Sequence, residues 1–408
     1  MTPLLSVEDA RAAILKNAQA IQDIETVSLD QAIGRKLAED IVATRSQPPF
    51  AASAMDGYAV RSADLKPLPR TLKITGYAPA GHGYDGTVGP GEAVRVFTGA
   101  PVPAGADTIV IQEDTERMGE NAVRIGVGAP EGQYIRFEGL DFAAGDTVLR
   151  TGQKLDAGRL TVAAAMNCPQ LPVRRRPHVA VLATGDELVA PGSIPGPDQI
   201  IASNGYGVRA FAEICGATVT DLGIAADHLD VIDAAVEAAL DAKADILVTL
   251  GGASVGDHDL VQQALIARGM DLEFWRIAMR PGKPLMCGRL DSRHVLGLPG
   301  NPVSSLVCSH LFLRPLIDKL AGDAETDRHR DAVLGCDLPE NDRREDYLRA
   351  RLERDPNGRL VATPFQKQDS SMTRTFADSD CLVIRAPHAE AAKAGSACCI
   401  LLLREPPQ

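Results

Sequence analysis

Residues 245–259, DILVTLGGASVGDHD, place the tightest constraint on how this chain folds. The run Ile246-Leu247-Val248-Thr249-Leu250 is apolar without alternation, so it does not suit a sheet with one wet face. A short run of this kind fits the centre of a parallel sheet covered on both sides. Gly251-Gly252 at its carboxyl end lets the backbone turn sharply and approach a ligand closely. In the acidic loop beyond, Ser254 and the backbone N–H groups suit an anion, and Asp257 and Asp259 suit a hydrated cation. An ordinary strand-to-helix turn with capping acids has the same composition. A site is favoured because several other strands end in similar chemistry.

Residues 178–320 alternate strand and helix patterns. Strand 178–183 runs into Thr184-Gly185-Asp186-Glu187, and helix 205–214 follows Ser203-Asn204. Strand 218–224 ends at Asp227, and helix 229–242 leads to the apolar run. Helix 260–268, strand 271–277, a hairpin of 284–288 with 293–298, and helix 303–320 behind Pro299-Gly300-Asn301-Pro302 complete the series. Such alternation predicts a doubly wound α/β domain, whose ligands bind outside the carboxyl ends of the strands. One rim is therefore expected to carry Asp186, Glu187, Asp227, Asp257 and Asp259, with Arg280 and Lys283. Crowded acids suit a divalent cation, and neighbouring cations suit phosphate or another oxyanion. Taken singly, each acid also reads as a solvated loop residue or helix cap. Gly282-Lys283-Pro284 lacks the glycine spacing and hydroxyl of a P-loop. No G-x-G-x-x-G follows a strand, no H-E-x-x-H occurs, and no Ser–His–Asp arrangement can be argued.

The flanks differ in kind. Residues 6–21 have helical spacing, and 27–41 read as a short helix and a strand. From 57 to 141 short apolar runs lie between glycines and prolines, which predicts a β-rich module closed by Arg136 and Asp141. Residues 147–166 read as a strand and helix, and 171–179 as a connector. Beyond 322, runs at 332–336, 346–352, 360–364, 381–386 and 397–403 predict a small barrel or sandwich. A chain of 408 residues suits about two to four domains. Its net charge of −12 argues against nucleic acid or an acidic membrane as partner. No apolar run of about 18 residues and no basic-then-apolar leader pattern is seen. Eight scattered cysteines without C-x-x-C suit a reducing compartment, so a cytoplasmic protein is expected.

Together the motifs resemble one family. Pro49-Phe50 with Ser53-Ala54-Met55-Asp56-Gly57-Tyr58-Ala59 is similar to the S-A-M-D-G-Y-A signature of molybdopterin molybdenumtransferases, to which the C-terminal domain of gephyrin also belongs. Further matches are Phe97-Thr98-Gly99-Ala100-Pro101, Arg136 with Gly139 and Asp141, and Thr184-Gly185-Asp186-Glu187-Leu188. Ser203-Asn204, Asp227, Gly251-Gly252-Ala253-Ser254-Val255-Gly256-Asp257-His258-Asp259, Pro281-Gly282-Lys283-Pro284 and Leu298-Pro299-Gly300-Asn301-Pro302-Val303-Ser304 complete the set.

The resemblance implies a multidomain α/β and β architecture. An N-terminal helix, 1–26, packs on the α/β domain. A small linking α+β domain takes 27–46 and 142–176, and the inserted β-rich module takes 47–141. A doubly wound molybdopterin-binding domain takes 177–325, and a C-terminal β-barrel-like domain takes 326–408. It implies an elongated homodimer in which Asp56, Thr98 and Asp141 face the α/β domain of the other copy. The implied reaction turns adenylylated molybdopterin and molybdate into molybdenum cofactor and AMP, assisted by Mg2+ on Glu187, Asp227, Asp257 and Asp259. The pterin and oxyanion fall to Arg136, Thr184, Gly185, Asp186, Ser203, Asn204, Gly251, Gly252, Ser254, Arg280, Lys283, Pro299, Pro302 and Ser304. A molybdopterin adenylyltransferase is implied as substrate donor. Arg280 stands where relatives often have Lys, and Gln368-Asp369-Ser370-Ser371-Met372 departs from a glycine-serine-glycine turn. A non-catalytic pterin-binding or scaffolding use of the same fold is the alternative.

Overall fold

The computed structural model describes residues 4–252 and 260–405, the side chain of Trp275 apart. It divides into two units, Ile24–Arg174 and a second made of Met1–Asp23 with Arg175–Gln408.

The second unit is built on a six-stranded sheet. Its order is Thr218–Ala225, His178–Thr184, Ile246–Leu250, Arg293–Leu298, Pro284–Leu290 and Asp271–Arg276. The first four strands run parallel, Pro284–Leu290 turns back antiparallel to them as the 284–298 hairpin requires, and Asp271–Arg276 is antiparallel to Pro284–Leu290 in turn. Alternate residues serve opposite faces. Val179, Val181, Ile246, Val248 and Leu296 enter one core with helix Asn204–Ile214 and the helical segment 302–320. Ala180, Leu182, Leu247 and Val295 enter another with helices Leu229–Asp241 and Leu260–Ala267. Two covered faces explain why the central run carries no polar alternation. Each large aliphatic side chain withdrawn from water there contributes roughly 1.5–3 kcal/mol.

The N-terminal helix is Val7–Lys16, shorter than the spacing of 6–21 predicts. Ser6 Oγ caps it, accepting from Asp9 N–H at 3.0 Å. Beyond Asn17 the backbone bonds elsewhere: Ile21 N–H donates to Leu320 O at 2.8 Å. Val7, Ala10 and Ile14 join the core that includes Leu316 and Ile317. The predicted helix 303–320 is present but interrupted. Helix Pro302–Cys308 passes through a π turn, Ser309–Leu313, into helix Arg314–Leu320. The wide turn precedes Pro315, which has no N–H for the regular i→i−4 ladder.

The tail is a closed barrel rather than a sandwich. Its ring runs Glu345–Arg354, Leu360–Pro364, His329–Leu334, Ala397–Leu402 and Cys381–Arg385, and the last strand pairs back on the first. Closure removes the exposed edges that short strands otherwise carry. Ala350, Leu352, Ala362, Val383 and Ile400 fill it.

In the other unit, a six-stranded sheet orders Thr108–Ile111, Gly57–Val60, Glu92–Val96, Arg70–Ala78, Ala122–Ile125 and Thr115–Arg117. Within 27–41 the expected short helix is Leu29–Ala32 and the expected strand Ile41–Val42, and a further strand, Ile24–Ser28, precedes them. One expectation is corrected. The expected connector at 171–179 is instead strand Gln170–Arg174, antiparallel to Ile24–Ser28, and then the start of His178–Thr184. Pairing across more than a hundred residues turns both segments into strands, and Leu171 and Val173 are buried with Leu37 and Leu155.

Candidate functional site

A cavity of about 510 Å³ opens at the carboxyl ends of His178–Thr184 and Ile246–Leu250. It brings together Thr184, Glu187, Ser203, Asn204, Gly251 and Pro302, with Leu188, Ile200 and Ile201 as apolar wall. Gly251 has φ +94°, and a Cβ there would sit 2.7 Å from Thr184 O. Glycine thus lets two strand ends touch, which a larger residue forbids. Thr184 is 4 % exposed, and its hydroxyl has no hydrogen-bond partner among the described residues. An unmet buried hydroxyl in a cavity wall is a ready contact for a ligand oxygen. Asn204 opens helix Asn204–Ile214, and its Nδ2 donates to Gly300 O, tying that helix start to the 299–302 turn. The positive end of the helix dipole therefore lies at the cavity and favours an anion.

Ser371 also lines this cavity, a residue that sequence reasoning did not single out by itself. The tail loop reaches it because Val303 N–H donates to Ser370 O at 3.1 Å. Arg349, 1 % exposed, supports the loop by donating Nη2 to Asp369 O at 3.1 Å. Gln368 bonds both backbone groups of Arg349, at 2.9 Å each. The unusual Gln368–Met372 stretch was the signal, but nothing in linear order shows it at the α/β rim.

Three acids crowd beside the cavity. Asp227 N–H donates to Asp186 Oδ1 at 3.0 Å. The Asp227 carboxyl is held above the usual carboxylate range, first by burial and then by the charges of Asp186 and Glu187. Among the described residues no group of three or more His, Cys, Asp or Glu side chains is arranged to hold a metal ion. Ser254, Asp257 and Asp259 lie outside the described residues.

The two expected rim cations part company. Lys283 is exposed and makes no ion pair among the described residues. Arg280 is already paired: Nε and Nη2 bond the Asp346 carboxylate at 2.7 and 2.5 Å, with Asp342 at 3.5 Å. Its strand Met279–Arg280 runs beside Glu345–Arg354 of the barrel, so its charge is already matched. Gly185, Asp186, Asp227 and Gly252 border the rim without lining the cavity, while Pro299 and Ser304 are buried beneath it.

The remaining candidates lie in the Ile24–Arg174 unit. Asp56 accepts from Thr98 N–H at 2.8 Å and from Thr98 Oγ1 at 2.9 Å. The backbone bond first, and then the hydroxyl, hold its carboxyl below the ordinary range. Next to it Gly57 has no room for a side chain, since a Cβ would fall 2.1 Å from Val110 O. The Arg95 guanidinium lies 5.1 Å from the Tyr58 ring centre and 4.9 Å from that of Phe97. Arg136 and Asp141 are exposed.

Comparison with known proteins covers nearly the whole chain. Residues 5–167 match the MoeA N-terminal region (domain I and II), 180–319 a probable molybdopterin binding domain, and 331–403 the MoeA C-terminal region (domain IV). A molybdopterin molybdenumtransferase of Nostoc sp. is 39% identical over 334 residues, 79% of this chain and 76% of that one. One from Haemophilus influenzae is 33% identical over 93% of this chain and 94% of its own. The crystal structure of a molybdopterin biosynthesis MoeA protein from Pyrococcus horikosii superposes with a TM-score of 0.82 at 29% identity, covering 98% of this chain and 99% of that one.

Proposed function

Because the chain belongs to the molybdopterin molybdenumtransferase family, we propose that it inserts molybdenum from molybdate into adenylylated molybdopterin, releasing AMP and forming molybdenum cofactor. The observation that carries this reading is the rim cavity, with its unmet Thr184 hydroxyl, a helix start and crowded acids on one border. Thr184, Ser203, Asn204 and Gly251 hold the pterin and its phosphates through hydroxyl, amide and backbone N–H groups. Lys283, with Ser254, attracts the molybdate dianion.

Glu187 and Asp227 suit a cation, because with Asp186, bonded to the Asp227 N–H at 3.0 Å, they crowd carboxylates whose mutual repulsion a cation would relieve. With Asp257 and Asp259 they would hold magnesium, which when bound neutralises pyrophosphate charge as AMP departs. The working form is a homodimer in which Asp56, Thr98 and Asp141 serve the site of a second copy. Support comes from apolar surface on the β module. Phe137 and Leu140 are 56% and 66% exposed, and Phe50 and Met55 are also exposed. Ile135–Arg136 pairs with Ala52–Ser53, which brings these segments together. Exposed apolar patches of this kind are what an interface covers. A molybdopterin adenylyltransferase supplies the substrate.

Purified protein is expected to release AMP from adenylylated molybdopterin only when molybdate is added, and the product is expected to activate a cofactor-free molybdoenzyme. Binding of the pterin without AMP release would instead support the scaffold reading.

A further inference from the structure

We propose that a second cavity of this chain binds a small organic carboxylate with an apolar body. The cavity, about 370 Å³, lies among the N-terminal helix, the 302–320 helical segment and the barrel, and shares no residue with the rim cavity. Its size falls within the range of small-molecule sites.

Its polar groups are unevenly matched. Glu325 is paired with Arg11, and Glu345 accepts from the Tyr347 hydroxyl. Arg314 approaches Asp318 only at 4.0 Å, and its Nε is buried with no hydrogen bond among the described residues. Arg328 donates Nε to Leu402 O at 2.8 Å, which leaves its terminal nitrogens unbonded among the described residues. The two guanidiniums oppose each other: the charged form of Arg328 is disfavoured first by burial and then by Arg314, while Glu405 pulls the other way.

His310 lines the same cavity, and its Nδ1 is buried without a partner. Burial first, then Arg328 and Arg314, hold the ring neutral by lowering its pKa to about 3. The ring packs on Phe211 at 4.4 Å and sits in the Ser309–Leu313 π turn, a distortion frequent at functional sites. An oxyanion between the arginines would relieve their repulsion through charge-assisted bonds and take a hydrogen bond from the imidazole. The other wall, Val7, Leu311, Pro315, Ile384 and Leu401, is apolar and asks for an apolar body on the same molecule.

Isothermal titration of the full chain with benzoate tests this without any catalytic readout, so its outcome is separate from that of the molybdenum-insertion reading. Benzoate is expected to bind with a Kd on the order of 1 mM or tighter, and benzamide, the neutral isostere, at least about tenfold more weakly. Arg328→Gln is expected to weaken benzoate about tenfold or more, and Arg328→Lys, which keeps the charge, by less. No heat with the wild-type chain at about 10 mM benzoate would overturn the proposal whether or not the variants fold. So would equal binding of benzamide, or inorganic phosphate binding as tightly as benzoate.

Discussion

A guanidinium already held by a carboxylate gains little from an incoming oxyanion, whereas a bare ammonium gains a full charge-assisted contact. Lys283 and Arg280 differ in this respect although they lie in one short loop. Lys283→Ala is expected to raise the molybdate concentration for half-maximal turnover about tenfold to a hundredfold, from roughly 1.5–3 kcal/mol for a lost charged contact. Arg280→Ala is expected to leave that dependence unchanged and to lower the unfolding midpoint, because it strands Asp346 against the barrel without its partner. Steady-state molybdate titrations beside denaturant melts of both variants check this. A molybdate shift in Arg280→Ala, or none in Lys283→Ala, would reverse the assignment.

The strand Arg293–Leu298 shows how an element in the sheet sets the acid limit of the fold. His294, 5 % exposed, accepts from Arg289 Nη1 at Nε2, 2.8 Å away. Burial first, then Arg289, lower its pKa to about 4, with Asp245 opposing. The native ring is thus neutral where the unfolded ring, with a pKa near 6.5, takes up a proton. Stability is complete above the unfolded pKa and falls as pH drops from about 6.5 toward about 4, by about 1.4 kcal/mol per unit. Urea melts from pH 7 to pH 5 are expected to show a loss of about 2 kcal/mol from this residue. His294→Gln is expected to remove that part of the slope, and an unchanged slope would show that the ring does not carry it. His310 adds its own acid-sensitive share on the 302–320 segment.

Across the whole molecule, the exposed apolar residues of the β module ask for a partner. Light scattering at micromolar concentration is expected to give about twice the 43.2 kDa chain mass. Phe137→Glu with Leu140→Glu is expected to yield monomers that have lost molybdenum insertion while still binding pterin. Monomers with full activity would defeat the shared-site reading.

The sequence by itself determined the sheet, the barrel strands and the placement of the rim. Strand Ile246–Leu250, strand Leu360–Pro364 and the 284–298 hairpin are legible because periodicity and turn chemistry act over a few residues. Thr184, Glu187, Asn204 and Gly251 are legible as a set because strand ends in such a sheet converge. Tertiary structure alone decided that Ile24–Ser28 meets Gln170–Arg174, that Arg280 is spent on Asp346, and that Ser371 enters the rim cavity. Each depends on a contact between segments far apart in the chain. Backbone pairing and charge matching at such distances follow from how remote segments pack within each unit, which no local pattern of residues encodes.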